Sequence, residues 1–250
     1  MTPKTPQEIK IMRNAGKLLA KMLSELAREV QPGKNPKDIA NLAAEKIKAA
    51  GLTPIVLGYE GFSDVICISV NQAIVHGVPS SEAFKEGDVV KLDLTLASKG
   101  LVVDSAITVV AGDKEPPSDT KRLLEGTRRA LEDAIAAIHG DGTRVGDISA
   151  AAQSTLEKYE LGIIRDLVGH GVGHGIHEPP NVPNYGVAGT GPVLHAGATI
   201  AIEPMASLGD WHIKIAKDGW TVEMADGSLG AHFEHTVLIT DDGAEILTQA

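Results

Sequence analysis

The stretch that most constrains this chain is Asp88–Thr108, two apolar and β-branched runs separated by Ser98-Lys99-Gly100. Runs of this kind around a short polar break read as a β-hairpin. With Ser98 and Lys99 as a two-residue loop, Ala97 faces Gly100 and Asp93 faces Asp104. Directly opposed residues share a face with Cβ atoms roughly 5 Å apart, and like charges there destabilise the pair. A multivalent cation between them reverses that sign. A three-residue loop using Gly100 would instead shift the register by one. An exposed acidic pair on a surface hairpin is the alternative for this stretch taken alone.

The rest of the chain narrows the choice. Its 250 residues are 43% hydrophobic, enough to remove roughly three quarters of the unfolded surface from water. A formal net charge of −10 argues against DNA or other nucleic acid as a non-specific partner, since neutralising phosphates needs a basic surface. Cys67 is the only cysteine, so no intrachain disulfide forms and a reducing compartment is expected. The first residues lack the apolar core of a signal peptide, and no run approaches 18 apolar residues, so no membrane span is expected. These features point to a soluble cytoplasmic protein.

Thr5-Pro6-Gln7-Glu8 is a capping box that starts a helix running to about Val30, and Asn35-Pro36 starts a second that ends at Gly51. Ile66–Val70 reads as a strand ahead of the acidic hairpin, and Gly112–Ser118 has the composition of a linker. Two further helices are expected from about Asp119 to His139 and from about Arg144 to Tyr159. A shift of 109 residues matches Gly33 to Gly142, Asp38 to Asp147, Ile39 to Ile148 and Ala43 to Ala152. Both halves read helix, helix, strands, which predicts two similar α+β halves whose strands form one antiparallel sheet covered by helices on one side. In the second half, Asp218-Gly219 is a two-residue hairpin signal, and Glu203 and Glu234 each sit in an otherwise apolar run.

Four carboxylates in apolar strands need an explanation, because burying an unpaired carboxylate is costly. No lysine or arginine lies within two residues of Asp104, Glu203 or Glu234; Lys91 is that close to Asp93 and shares its face. The second half also holds Gly169-His170-Gly171-Val172-Gly173-His174-Gly175-Ile176-His177-Glu178, too rich in glycine for a helix and suited to close approach of backbone to a ligand. Four carboxylates and two divalent cations sum to zero charge. Oxygen donors with imidazole and no thiolate suit Mn, Fe, Co or Zn without choosing among them.

Val75-His76-Gly77-Val78-Pro79, the Asp93 to Asp104 spacing, Gly169-His170-Gly171-Val172-Gly173, His177-Glu178, Ile202-Glu203-Pro204-Met205 and Glu234-His235-Thr236 together resemble the type I methionine aminopeptidases. The resemblance covers nearly the whole chain. It implies the pseudo-two-fold pita-bread fold, with halves of about 1–112 and 118–250 in one domain spanning 1–250. It implies two divalent metal ions: Asp93 on one, His170 and Glu203 on the other, Asp104 and Glu234 bridging. It makes His76 and His177 catalytic, substrate-facing histidines and Glu203 the proton shuttle. It places the methionine side chain against Tyr59, Phe62, Cys67 and Trp220. The implied reaction is removal of N-terminal methionine before a small second residue by a metal-bridging hydroxide. Peptides and nascent chains are the expected partners, with transient contact at the ribosome and the chain acting as a monomer. Ile176, Phe62 and His174 depart from the common pattern of that family, which bears on the methionine pocket and not on the metal donors.

Two rivals remain. An X-Pro aminopeptidase or proline dipeptidase of the same fold usually carries an additional N-terminal domain, for which a helix starting at Thr5 leaves no room. A catalytically silent binding module should have lost one or more of Asp93, Asp104, His170, Glu203 and Glu234, and all five are present.

Overall fold

The computed structural model of the protein describes residues 2–249. Thr5 caps α1 (Pro6–Arg28), its hydroxyl accepting from Glu8 N while the Glu8 carboxylate accepts from Thr5 N, as expected of the capping box. Asn35 caps α2 (Pro36–Ala50), and Gly51 ends it at φ 66 in the left-handed region. Five strands follow: β1 (Thr53–Pro54), β2 (Cys67–Val70), β3 (Ala73–Val75), β4 (Val89–Ser98) and β5 (Leu101–Val110). A second pair of helices, α3 (Ser118–Ala136) and α4 (Val145–Lys158), leads into β6 (Gly162–Ile163), β7 (Gly169–Gly171), β8 (Glu178–Val182), β9 (Thr199–Ile202) and β10 (Met205–Ser207). The chain finishes through β11 (Ile213–Ile215), β12 (Val222–Met224), β13 (Gly230–His232), β14 (His235–Ile239) and β15 (Ala244–Ile246).

The strand ladders are antiparallel, and α1 packs on β4 and β5 while α3 packs on β9, β10 and β13. Alternation along β4 explains what each face carries. Val90, Leu92, Leu94 and Leu96 meet Leu19, Leu23 and Leu26 of α1 in an apolar core, while Asp93 and Thr95 face a cavity on the other side.

The hairpin register differs from the sequence expectation. Ser98 pairs with Leu101, so the loop is Lys99-Gly100, with φ of 50 and 80. A two-residue loop of this type needs positive φ at both central positions, and Gly100 supplies one without strain. The loop therefore lies one residue later, and the pairing shifts by two. Asp104 faces Thr95 and Asp93 faces Ala106. A two-residue shift keeps both acids on the same face, now as diagonal neighbours, so direct like-charge opposition is avoided. The 213–224 hairpin differs too: Ala216 N bonds to Thr221 O, leaving a longer turn in which the Asp218 carboxylate accepts from Trp220 N and Thr221 N. That side chain, rather than a tight Asp-Gly turn, carries Trp220 to the cavity.

Hydrogen-bonded ladders divide the strands into four sets rather than one continuous sheet. The seam between the halves shows why. Ala106 and Glu234 exchange backbone bonds, but on either side a threonine hydroxyl is interposed. Thr236 Oγ1 accepts from Asp104 N and donates to Asp104 O, both at 2.8 Å. Thr108 Oγ1 accepts from His232 N at 2.9 Å and donates to His232 O at 2.6 Å. Among the described residues no helix is long and apolar enough to cross a membrane.

Candidate metal centre

Five elements of the two halves deliver the candidate donors to one cavity of about 360 Å3. Asp93 comes from β4, Asp104 from β5 and His170 from β7; Glu203 follows β9, and Glu234 lies between β13 and β14. Donor atoms of Asp104, His170 and Glu234 lie within 4.8 Å of one another. His170 Nε2 is 3.5 Å from Glu203 Oε1. Glycine is required around His170, because a Cβ at Gly169 would sit 2.4 Å from Ala201 O and one at Gly171 would sit 2.6 Å from Pro179 O.

The electrostatics explain what such a cluster needs. Burial pushes Asp93 and Glu234 well above the ordinary carboxylate range, and repulsion from Asp104 adds to it. Burial also raises Asp104, opposed by the nearby His170 and by a hydrogen bond from Thr95 Oγ1 at 2.9 Å. Glu203 is pushed up to about 8, again chiefly by burial. Lys91 does not neutralise them. Its ammonium turns to the carbonyls of Asn71 and Val89, at 2.7 and 3.3 Å.

These donors fit a divalent metal. His170 Nδ1 lies 3.0 Å from Gly171 O; donating its proton there leaves the Nε2 lone pair facing the carboxylates. Burial raises the Cys67 thiol, so no thiolate competes. The set is oxygen-rich with one imidazole and no cationic partner.

His76, His177, Tyr59, Phe62, Cys67 and Trp220 line the same cavity. His76 sits at φ 56, a strained conformation for a non-glycine residue, and burial pushes its imidazole down. His177 is likewise lowered by burial, then by His170, whose ring lies edge-on at 4.5 Å. The Tyr59 hydroxyl is 3.5 Å from His177 Nδ1. Phe62 and Trp220 meet edge to face at 5.3 Å and form an apolar wall. Ile176 also lines the cavity. His174 turns away from it to Glu8, 2.8 Å from the carboxylate. Beside it the buried Lys4 ammonium bonds to Glu178, which also accepts from Gly175 N. The start of the chain thus fastens the segment that carries His177.

Two residues at the site had no role expected from the sequence, Thr95 lining the cavity and His232 just outside it. Thr95 is two residues from Asp93, on the same strand face, and that spacing was its only signal. His232 stands in the same relation to Glu234 and is buried behind Glu203.

The pattern of metallopeptidase family M24 matches residues 10–241. The chain belongs to that family, and divalent metal use follows from the family together with the donor cluster. Within it the chain groups with the methionine aminopeptidases. It is 41% identical to methionine aminopeptidase 1 of Bacillus subtilis over 98% of each chain, and 43% identical to the Aquifex aeolicus enzyme over 97% of this chain and 96% of that one. The crystal structure of methionine aminopeptidase from Thermotoga maritima superposes with a TM-score of 0.96 at 46% identity, covering all of both chains. Prolidase from Pyrococcus furiosus shares the pita-bread fold, with a TM-score of 0.76 at 26% identity, but this chain covers only 65% of it.

Proposed function

We propose that this chain hydrolyses the N-terminal methionine from peptides and newly made proteins, preferring a small second residue. The observation that carries the reading is the convergence on one cavity of four carboxylates, Asp104 and Glu234 buried and Asp93 and Glu203 half-buried, and one imidazole, with no cationic side chain among them. Asp93, Asp104, His170, Glu203 and Glu234 would hold two divalent ions, drawn from Mn, Fe, Co or Zn, and four carboxylates would balance their charge. When bound, the ions supply an acidified water and a Lewis acid for amide hydrolysis.

The chain's own residues do the rest. Glu203 borders the cavity and carries a proton from the attacking water to the leaving amine. A donor bond from Tyr59 to His177 Nδ1 keeps the His177 proton on Nε2, which then stabilises the developing oxyanion. His76 contacts the peptide beyond the scissile bond. Phe62, Trp220, Cys67 and Tyr59 enclose an unbranched apolar side chain. We read residues 1–250 as one domain that acts as a cytoplasmic monomer, meeting its substrates as they leave the ribosome, where new N-terminal methionines appear.

The test is metal reconstitution of stripped protein on Met-Ala-Ser beside an X-Pro peptide. Cleavage of the first alone, restored by metal, supports the proposal. Cleavage of the X-Pro peptide alone assigns the rival activity, and no metal-dependent cleavage of either overturns the enzyme reading.

A further inference from the structure

The side chain of His232 is 1% exposed, and neither ring nitrogen has a hydrogen-bond partner among the described residues. Buried polar groups are almost always satisfied, so an orphaned imidazole needs a reason. Its surroundings supply one. His232 Nε2 lies 3.5 Å from Glu203 Oε2, while His170 Nε2 lies 3.5 Å from Glu203 Oε1. The carboxylate is flanked by two imidazoles, one for each oxygen.

We infer that His232 is a positioning residue, turning Glu203 toward the metal by holding the oxygen that faces away from His170. The inference rests on the metal-centre reading above. His232 is not itself in the group of donors that close on one another, which comprises Asp104, His170 and Glu234. Its role is to donate a ring N–H to a ligating carboxylate, and such outer partners typically alter metal affinity by tenfold to a hundredfold.

The backbone keeps the ring in place. Thr108 Oγ1 engages both the N–H and the carbonyl of His232, and His232 pairs with Met205 across the β10–β13 ladder. Met205 lies two residues beyond Glu203, so the same ladder that fixes His232 also fixes the stretch carrying the carboxylate. A small closing movement of the Glu203 side chain would bring Oε2 within hydrogen-bond distance.

The experiment compares the full chain with His232→Leu and His232→Gln, each stripped of metal. Manganese binding is titrated by calorimetry, metal-free melting is recorded, and kcat and KM are measured on Met-Ala-Ser. His232→Leu should bind manganese tenfold to a hundredfold more weakly while its metal-free Tm holds or rises, because an unpaired buried group is gone. His232→Gln, which restores an N–H at similar reach, should recover most of the affinity. The kcat should fall in His232→Leu with little change in KM. Unchanged affinity in His232→Leu overturns the inference, as does a lowered metal-free Tm without rescue by glutamine, which would mean packing alone. If the unaltered chain takes up no manganese, the metal-centre reading itself fails.

Discussion

Thr95 and Asp104 face each other across the β4–β5 ladder, and the threonine hydroxyl donates a 2.9 Å hydrogen bond to Asp104 Oδ1. That bond fixes one oxygen of a candidate ligand and leaves the other free to turn into the cavity. A hydrogen bond to a charged group is worth about 1.5–3 kcal/mol. Thr95→Val keeps the shape and removes the donor, so metal affinity should fall by roughly tenfold or more. Calorimetric titration checks this, with the metal-free melt as the control for folding.

Removal of a ligand and removal of a substrate-facing group should look different. His170→Ala takes away the only imidazole in the donor cluster, and both metal uptake and turnover should be lost. His177→Ala should retain metal while kcat falls by about 10²–10³, the usual loss when one oxyanion donor goes. Metal content by atomic absorption separates the two. Loss of metal in His177→Ala would contradict its assignment.

The raised carboxyls make metal uptake pH-dependent. Burial pushes Glu203 to about 8 and, with repulsion from Asp104, Asp93 and Glu234 well up. With Glu203 near 8, it holds a proton at pH 7 in the metal-free protein, whereas a metal takes only the ionised form. Binding therefore releases protons, and affinity rises as pH climbs towards and through about 8. Titration in two buffers of different ionisation enthalpy counts the protons released. A count near zero at pH 7 would refute the prediction.

Thr236 satisfies both backbone groups of Asp104 and is fully buried. In Thr236→Val those two groups lose their partner, at a cost of roughly 2–5 kcal/mol. Thermal melting should show a fall of roughly 5–15 °C for a chain of this size. Thr236→Ser, which keeps the hydroxyl, should recover most of it.

Lys4 and Glu178 form an ion pair at 3.1 Å in which the lysine side chain is fully buried. Lys4→Met leaves the carboxylate that holds Gly175 N without its counter-charge. The segment bearing His177 should loosen, lowering kcat while manganese affinity is unchanged. Steady-state kinetics beside a binding titration distinguishes this from damage to the metal centre.

Much of this architecture was legible in the residues because it depends on neighbours along the chain. The caps at Thr5 and Asn35 and the stop at Gly51 are local signals and lie where expected. Acids inside β-branched runs are anomalous enough to mark Asp93, Asp104, Glu203 and Glu234 as a set. The hairpin register was not legible, because Ser98-Lys99-Gly100 does not show which two residues take positive φ. Nor was the Thr236 bridge, which joins groups 132 positions apart through a hydroxyl rather than a ladder bond. Lys91 shows the same limit: sequence places an ammonium beside Asp93, and only the fold turns it to carbonyl oxygens.

The hydroxyl-bridged seam has one more consequence. Asp93 and Asp104 belong to one side of it and His170, Glu203 and Glu234 to the other, while each side holds a backbone stretch of its neighbour through side-chain hydroxyls, Thr236 from one and Ser105 and Thr108 from the other. Neither side alone can assemble a complete coordination shell. Ion release should thus be an early gauge of opening along this line, preceding the loss of helical signal as the chain is warmed or stressed.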